Sequence, residues 1–354
     1  MLKAPQTRDP FAGDGFAGAV VEWFVETGRH DLPWRQTADP YAILVSEIML
    51  QQTQVATVLE RGYFTRWLER FPDPAALAAA AEPEVLKCWE GLGYYNRARN
   101  LQKAARALIE EHGGSFPGEL DKIRALPGVG RYTAGAIASI AFGRAAAVVD
   151  GNVVRVFARL FDFREAVDTP AAQKRFWEWA ERLVPENRPR EYNAGLMELG
   201  QRVCLRTSPA CLACPVADWC AATDPAALPI KNGGPKTVFV TERVLFAVRD
   251  GRLLLERESG SRRRGLWKLP ALPEDFAGEA PPVMLETKYS ITHHRVDLIV
   301  QGWAGDPTGL SAGPNPVESE GELAWFDLQT EVPAIAMPSP YRRAVETILA
   351  RQKA

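Results

Sequence analysis

Residues 126–152 read LPGVGRYTAGAIASIAFGRAAAVVDGN. Pro127 ends whatever precedes it, and Gly128 and Gly130 permit tight or left-handed turns. The apolar spacing that follows predicts a helix, so the glycine turn lies at a helix N-terminus with its N–H groups facing outward. Such a turn is a seat for phosphate. Asp150 arrives at the start of a second helix, predicted from about Gly151. A carboxylate near such an end is stabilised as the anion; a plain N-cap is the structural reading of the same residue. A phosphate seat followed by a charged carboxylate points to an enzyme that works on nucleic acid.

Outward from this stretch the first two-thirds of the chain read as helical. FAGAVVEWFVETG (16–28), YAILVSEIMLQQTQVATVLERGYFTRWLERF (41–71), EVLKCWEGL (84–92) and ARNLQKAARALIEEHGG (98–114) carry apolar residues three and four apart. ALPIKNGGPK (227–236) has the composition of a linker. Beyond it, TVFVTERVLFAVRDGRLLLERE (237–258) predicts a hairpin turning at Asp250–Gly251. HHRVDLIVQGWA (293–304) and ELAWFDL (322–328) are further strand candidates, and PYRRAVETILARQKA (340–354) a closing helix. The organisation predicted is a mainly α domain over 1–226, a linker over 227–236 and an α+β domain over 237–354.

The 354 residues suffice for two domains with full cores. No apolar run reaches membrane-spanning length, and the first residues lack a signal core, which predicts an intracellular, cytoplasmic protein. Lys and Arg number 42 against 44 Asp and Glu, so the whole chain shows no basic footprint. Cys204, Cys211, Cys214 and Cys220 form C-x6-C-x2-C-x5-C. Disulfides are disfavoured inside cells, so this array predicts a metal site. Its uneven spacing favours a [4Fe–4S] cluster over zinc, which prefers two short pairs.

Together with LPWR (32–35), SEIMLQQTQV (46–55), GLGYYNRARNL (91–101), DGNVVRV (150–156) and LMELGQRVC (196–204), these pieces resemble the A/G-mismatch adenine DNA glycosylases, the MutY family of the helix–hairpin–helix, endonuclease III-like superfamily. The resemblance is strong over about 15–225. It implies a helical glycosylase domain with an iron–sulfur module and a Nudix-like C-terminal domain that recognises 8-oxoguanine. It further implies a monofunctional enzyme of base excision repair, a monomer, hydrolysing the N-glycosidic bond of adenine opposite 8-oxoguanine or guanine in double-stranded DNA.

Glu47 lies among Ile43, Leu44, Ile48 and Leu50. Burial would keep it protonated near neutrality, as a general acid for a departing purine requires; a partly exposed helix acid is the bland reading. The resemblance gives Glu47 that acid role. It casts Asp150 as the ionised partner that steadies the cationic sugar, with Asn152 orienting a water or Asp150 itself. Tyr132 stands where backbone-cutting relatives carry a Schiff-base lysine, so little lyase activity is expected. The resemblance places Gln51, Gln52 and Tyr94 near the lesion and Gly128 and Gly130 on the backbone. It places Glu198 at the base pocket, and Thr292 and His293 at the oxidised guanine; Trp34 is a candidate for the base pocket, although a lone Trp after Pro is more often packing. Two positions depart from the pattern: Ala194 replaces a common Gln, and His30 a common basic residue. They leave room for a thymine or uracil mismatch glycosylase on the same scaffold. A non-catalytic iron–sulfur DNA-binding protein is a further alternative, against which the Glu47 and Asp150 pair argues.

Overall fold

The computed structural model describes residues 7–272, 280–303 and 322–353. The chain divides into two compact units, one of residues 1–64, 73–75 and 103–234, the other of residues 65–72, 76–102 and 235–354. Segments 65–72 and 76–102 thus count with the C-terminal part, although the composition changes at 227–236. Among the described residues no helix is long and apolar enough to cross a membrane.

The helices in chain order are α1 (Gly15–Thr27), α2 (Pro40–Met49), α3 (Val55–Glu60), α4 (Tyr63–Arg70), α5 (Pro74–Ala79), α6 (Glu82–Cys88) and α7 (Asn96–His112). They continue with α8 (Leu120–Ala125), α9 (Arg131–Ile140), α10 (Gly151–Leu160), α11 (Pro170–Leu183), α12 (Pro189–Arg202) and α13 (Ser339–Lys353). The run over 41–71 is not continuous: Gln52, at φ 57°, and Gly62, at φ 60°, take left-handed backbone and break it into α2, α3 and α4. The apolar spacing alone does not register such breaks.

In the first unit α12 packs against α1, α9 and α10. Phe16, Val20, Val153, Phe157, Tyr192, Leu196 and Leu199 form the buried centre of that contact. Helices α8 and α9 are joined by the predicted turn, with Gly128 at φ 77° and Val129 N–H donating to Leu126 O at 3.1 Å. Gly130 takes extended backbone and caps α9. From Ala146 to Val149 the chain is irregular and buried before entering α10. It passes so close to α9 that a Cβ on Gly135 would collide with the Ala147 carbonyl oxygen. A main-chain atom cannot swing aside, so Gly135→Ala is expected to lower stability by about 2 kcal/mol or more, read from urea unfolding.

The second unit contains a six-stranded sheet of β1 (Val238–Arg249), β2 (Arg252–Arg257), β3 (Trp267–Lys268), β4 (Val283–Ile291), β5 (His294–Trp303) and β6 (Leu323–Asp327). Its order is β3-β2-β1-β5-β4, with β6 beside β2. The hairpin at Asp250–Gly251 is present, and both residues take positive φ, 49° and 74°. β1 pairs with β5 in parallel, from Val238 opposite His294 to Ala247 opposite Trp303. Helix α13 covers the sheet, burying Tyr341, Ala344, Val345 and Ile348 against Val244, Phe246, Leu298 and Val300. Arg342 on α13 pairs with Glu90 at 2.7 Å.

Candidate active site

A cavity of about 910 Å³ opens in the first unit. Helix α2 presents Glu47 to it, α9 presents Tyr132, and the N-terminal end of α10 presents Asp150 and Asn152. Trp34, Gln51 and Gln52 also line its wall. Trp34 is buried and packs edge-on against Phe64, with ring centres 5.5 Å apart. The two carboxylates singled out in the sequence therefore share one hollow.

Glu47 is only 7% exposed although it ends in a charge-bearing group. Asp39 starts its helix by accepting N–H bonds from Tyr41 and Ala42, and Ile43, Leu44 and Ile48 of the same helix are buried. Burial pushes the Glu47 carboxyl up to about 7. The hydroxyl of Tyr132, donating at 2.6 Å to Oε2, acts the other way, as does Arg35; Asp150 adds to the rise. Tyr132 is itself held protonated by burial and by these two acids.

Asp150 is the N-cap of α10 and also faces the cavity. Its Oδ1 accepts from Asn152 N at 2.9 Å and Val153 N at 2.7 Å, and its Oδ2 from Asn152 Nδ2 at 2.7 Å. The expectation of a depressed acid is corrected. Burial outweighs these bonds and the nearby Arg155, and the Asp150 carboxyl lies above its ordinary value. Asn152 is directed at Asp150 because its Oδ1 accepts from Arg155 Nη2 at 2.9 Å. Arg155 also donates to the carbonyls of Gly200 and Cys204.

Glu198 does not line the cavity. Its side chain is fully buried behind the wall and binds Arg29, Arg35 and Arg202. Burial alone would raise its pKa, but Arg35, Arg202 and the Arg29 N–H hold it below the ordinary carboxylate value. Arg29 and Arg35 reach the cavity from this anchor, and Ala194, Met197 and Gln201 of α12 complete that side. The sequence reading missed the arginines and Met197; Arg202, four residues after Glu198 on α12, was a readable sign of pairing.

The four cysteines line a separate cavity of about 180 Å³, beside Val156 and Leu160 of α10. Among the described residues no three Cys, His, Asp or Glu side chains converge on one point as a single ion would demand. Arg159, 1% exposed, places Nη1 3.1 Å from Cys204 Sγ and holds three carbonyls around the array.

Tyr94, Thr292 and His293 belong to the second unit. Gly91, Gly93 and Tyr94 all take positive φ, and the Tyr94 ring is half exposed, so it is not a core aromatic. Tyr94 and Thr292 line a cavity of about 780 Å³ whose wall carries Arg97, Arg262, Arg263, Lys288 and Arg343. Thr292 turns the chain between β4 and β5 at φ 52° and donates its hydroxyl to Ile291 O at 2.7 Å. His293 is exposed beside it.

The sequence profile of "HhH-GPD superfamily base excision DNA repair protein" matches residues 45–182. A human adenine DNA glycosylase is 45% identical over 224 residues, 61% of this chain and 40% of that protein. One from Buchnera aphidicola is 37% identical over 58% of this chain and 57% of its own length. The chain thus spans well under two-thirds of these relatives. A thymine-DNA glycosylase of Aeropyrum pernix is 35% identical over 204 residues, 57% of this chain and 91% of that protein. The solved structure of a thermostable thymine-DNA glycosylase superposes with a TM-score of 0.53 at 34% identity, over 58% of this chain and 93% of that one. The chain belongs to the HhH-GPD superfamily of base excision DNA repair proteins.

Proposed function

We propose that the protein is a monofunctional adenine DNA glycosylase that hydrolyses the N-glycosidic bond of adenine opposite 8-oxoguanine or guanine in duplex DNA. The observation that carries this reading is the shared cavity, with a carboxyl raised to about 7 in Glu47 and a second carboxyl, Asp150, fixed at a helix N-terminus. A flipped base enters the cavity between Trp34 and α12. Glu47 hands its proton to a purine ring nitrogen, which turns the base into a better leaving group. Asp150 in its ionised form faces the positive charge that grows on the sugar. Tyr132 offers no amine for a Schiff base, so strand cutting stays weak.

Cys204, Cys211, Cys214 and Cys220 would hold a [4Fe–4S] cluster, and Arg159 beside Cys204 Sγ fits a site that carries negative thiolates. A polynuclear cluster binds each sulfur at a separate iron, which suits thiols spread around a cavity better than a lone ion does. When bound, it would tie the loop over 204–220 into one structural piece, with redox activity as its intrinsic chemistry. The second unit is read as a Nudix-like domain for the opposing base. The Thr292 hydroxyl donates to Ile291 O and lies 3.4 Å from His293 Nδ1 and 3.5 Å from His294 Nδ1; its second lone pair is the acceptor offered to the N7–H that 8-oxoguanine has and guanine lacks.

The thymine-DNA glycosylase relative, matched over 91% of its length, supports a second reading, a thymine or uracil mismatch glycosylase. Product analysis on four duplexes separates the two: adenine opposite 8-oxoguanine, adenine opposite guanine, thymine opposite guanine and uracil opposite guanine. Release of adenine from the first two, with little covalent capture by borohydride, is the expected result. Release of thymine instead would replace the proposal with its rival.

A further inference from the structure

We propose that Met197 is the alternate acceptor for the Tyr132 hydroxyl proton, and that it thereby supports the protonated state of Glu47. This rests on the general-acid reading of Glu47 given above. The phenol has one proton and two acceptors within reach, Glu47 Oε2 at 2.6 Å and Met197 Sδ at 3.2 Å. With Glu47 ionised, the proton belongs on the carboxylate, the stronger acceptor. With Glu47 neutral and its proton on Oε2, its own O–H points at the phenol oxygen, and the phenolic proton turns to the other acceptor. The thioether sulfur is a weak acceptor, but it stands within reach of that hydroxyl.

The two arrangements differ only by rotation about the phenol C–O bond and by one proton on Glu47. For base release the Glu47 O–H turns from the phenol to the base; that O–H bond then breaks as a ring N–H bond forms, and the glycosidic electron pair leaves with the base. Tyr132 keeps its proton throughout and turns it from the sulfur to the new carboxylate. Met197 is therefore a positioning residue acting through Tyr132.

The other groups around Glu47 have fixed duties. Asp150, at the head of α10, is engaged by Asn152 and Val153. Arg35, from the turn before α2, is bound to Glu198. Arg131 on α9 pairs with Glu181. Arg29, Arg190, Glu191 and Gln201 line the same cavity; Arg29 is held by Glu198 and bonds Gln201, and Arg190 donates to Arg35 O and Thr37 O. None of them offers the phenol a second acceptor in the structure.

The test is Met197→Leu, which conserves volume, in the full-length protein. Carbon-13 spectra of labelled glutamate, assigned with Glu47→Gln, give the Glu47 midpoint without relying on activity. The midpoint is expected to fall by about half a unit, with base release about threefold slower above it and the loss shrinking toward low pH. Met197→Gln, which returns an acceptor oxygen, is expected to move the midpoint back toward wild type. An unmoved midpoint in the Leu variant, or a Gln variant that behaves like Leu, overturns the proposal. The acid reading fails separately, through a wild-type Glu47 that titrates in the ordinary carboxylate range or a Glu47→Gln variant that still releases base.

Discussion

Glu47→Gln is expected to slow adenine release by about 10³-fold in single turnovers while duplex affinity, read by fluorescence anisotropy, stays intact. Gln keeps the shape and accepts the Tyr132 hydroxyl but has no proton to give. The variant also carries an expected gain. In the folded protein the Glu47 carboxyl is raised to about 7, so the native state holds a proton that the unfolded chain has released above its ordinary value. Stability then falls as pH rises from about 4.5 to about 7, by roughly 3 kcal/mol at most if the shift is taken whole. At pH 8 the neutral Gln escapes that loss and its melting temperature should exceed that of wild type. A variant no more stable than wild type at pH 8 would mean that Glu47 ionises as an ordinary solvated acid.

Asp150→Asn is expected to cost about 10²–10³ in the rate of release, because a neutral amide cannot balance a cationic sugar. The helix should survive. An Asn Oδ1 can still accept from Asn152 N and Val153 N, and Asn caps helices as well as Asp does. What is lost besides charge is the bond from Asn152 Nδ2, which would then meet another amide donor unless the new group flips. Rates measured at several pH values, with far-UV circular dichroism as the control, separate the two effects. The wild-type rate should fall at low pH as Asp150 takes up a proton, and burial sets that limb above the ordinary aspartate value. The Asn variant should lack the limb. A variant retaining most of the wild-type rate would remove Asp150 from the chemistry.

The hairpin before α9 and the start of α10 were readable because Pro127, Gly128 and Asp150 are local devices whose geometry depends on few neighbours. The same holds for the turn at Asp250–Gly251. Pairing was not readable: alternation in 293–304 marks a strand but says nothing of its parallel partner, and β4 escaped because Glu286 and Lys288 interrupt its apolar content. Helices α11 and α12 went unmarked although Phe176, Ala180 and Leu183, and Tyr192, Leu196 and Leu199, repeat at helical spacing. In the site, the shared cavity was anticipated from Glu47 and Asp150. The direction of the Asp150 shift was not, because a cap predicts bonds to a carboxylate but not how much water it loses. Glu198 was assigned to the pocket from its place in LMELG, whereas its arginine partners, Arg29 and Arg35, come from 169 and 163 residues away.

The three guanidiniums gathered on Glu198 have an electrostatic consequence that the net charge of the whole chain conceals. One sealed anion lets three like charges crowd together, and the ensemble still carries an excess of two positive charges, three minus one. A polyanion approaching this face meets local attraction even though the molecule as a whole is slightly negative. On the proposed reading, capture of DNA at this face would depend on the arrangement of charge within a Debye length more than on its total.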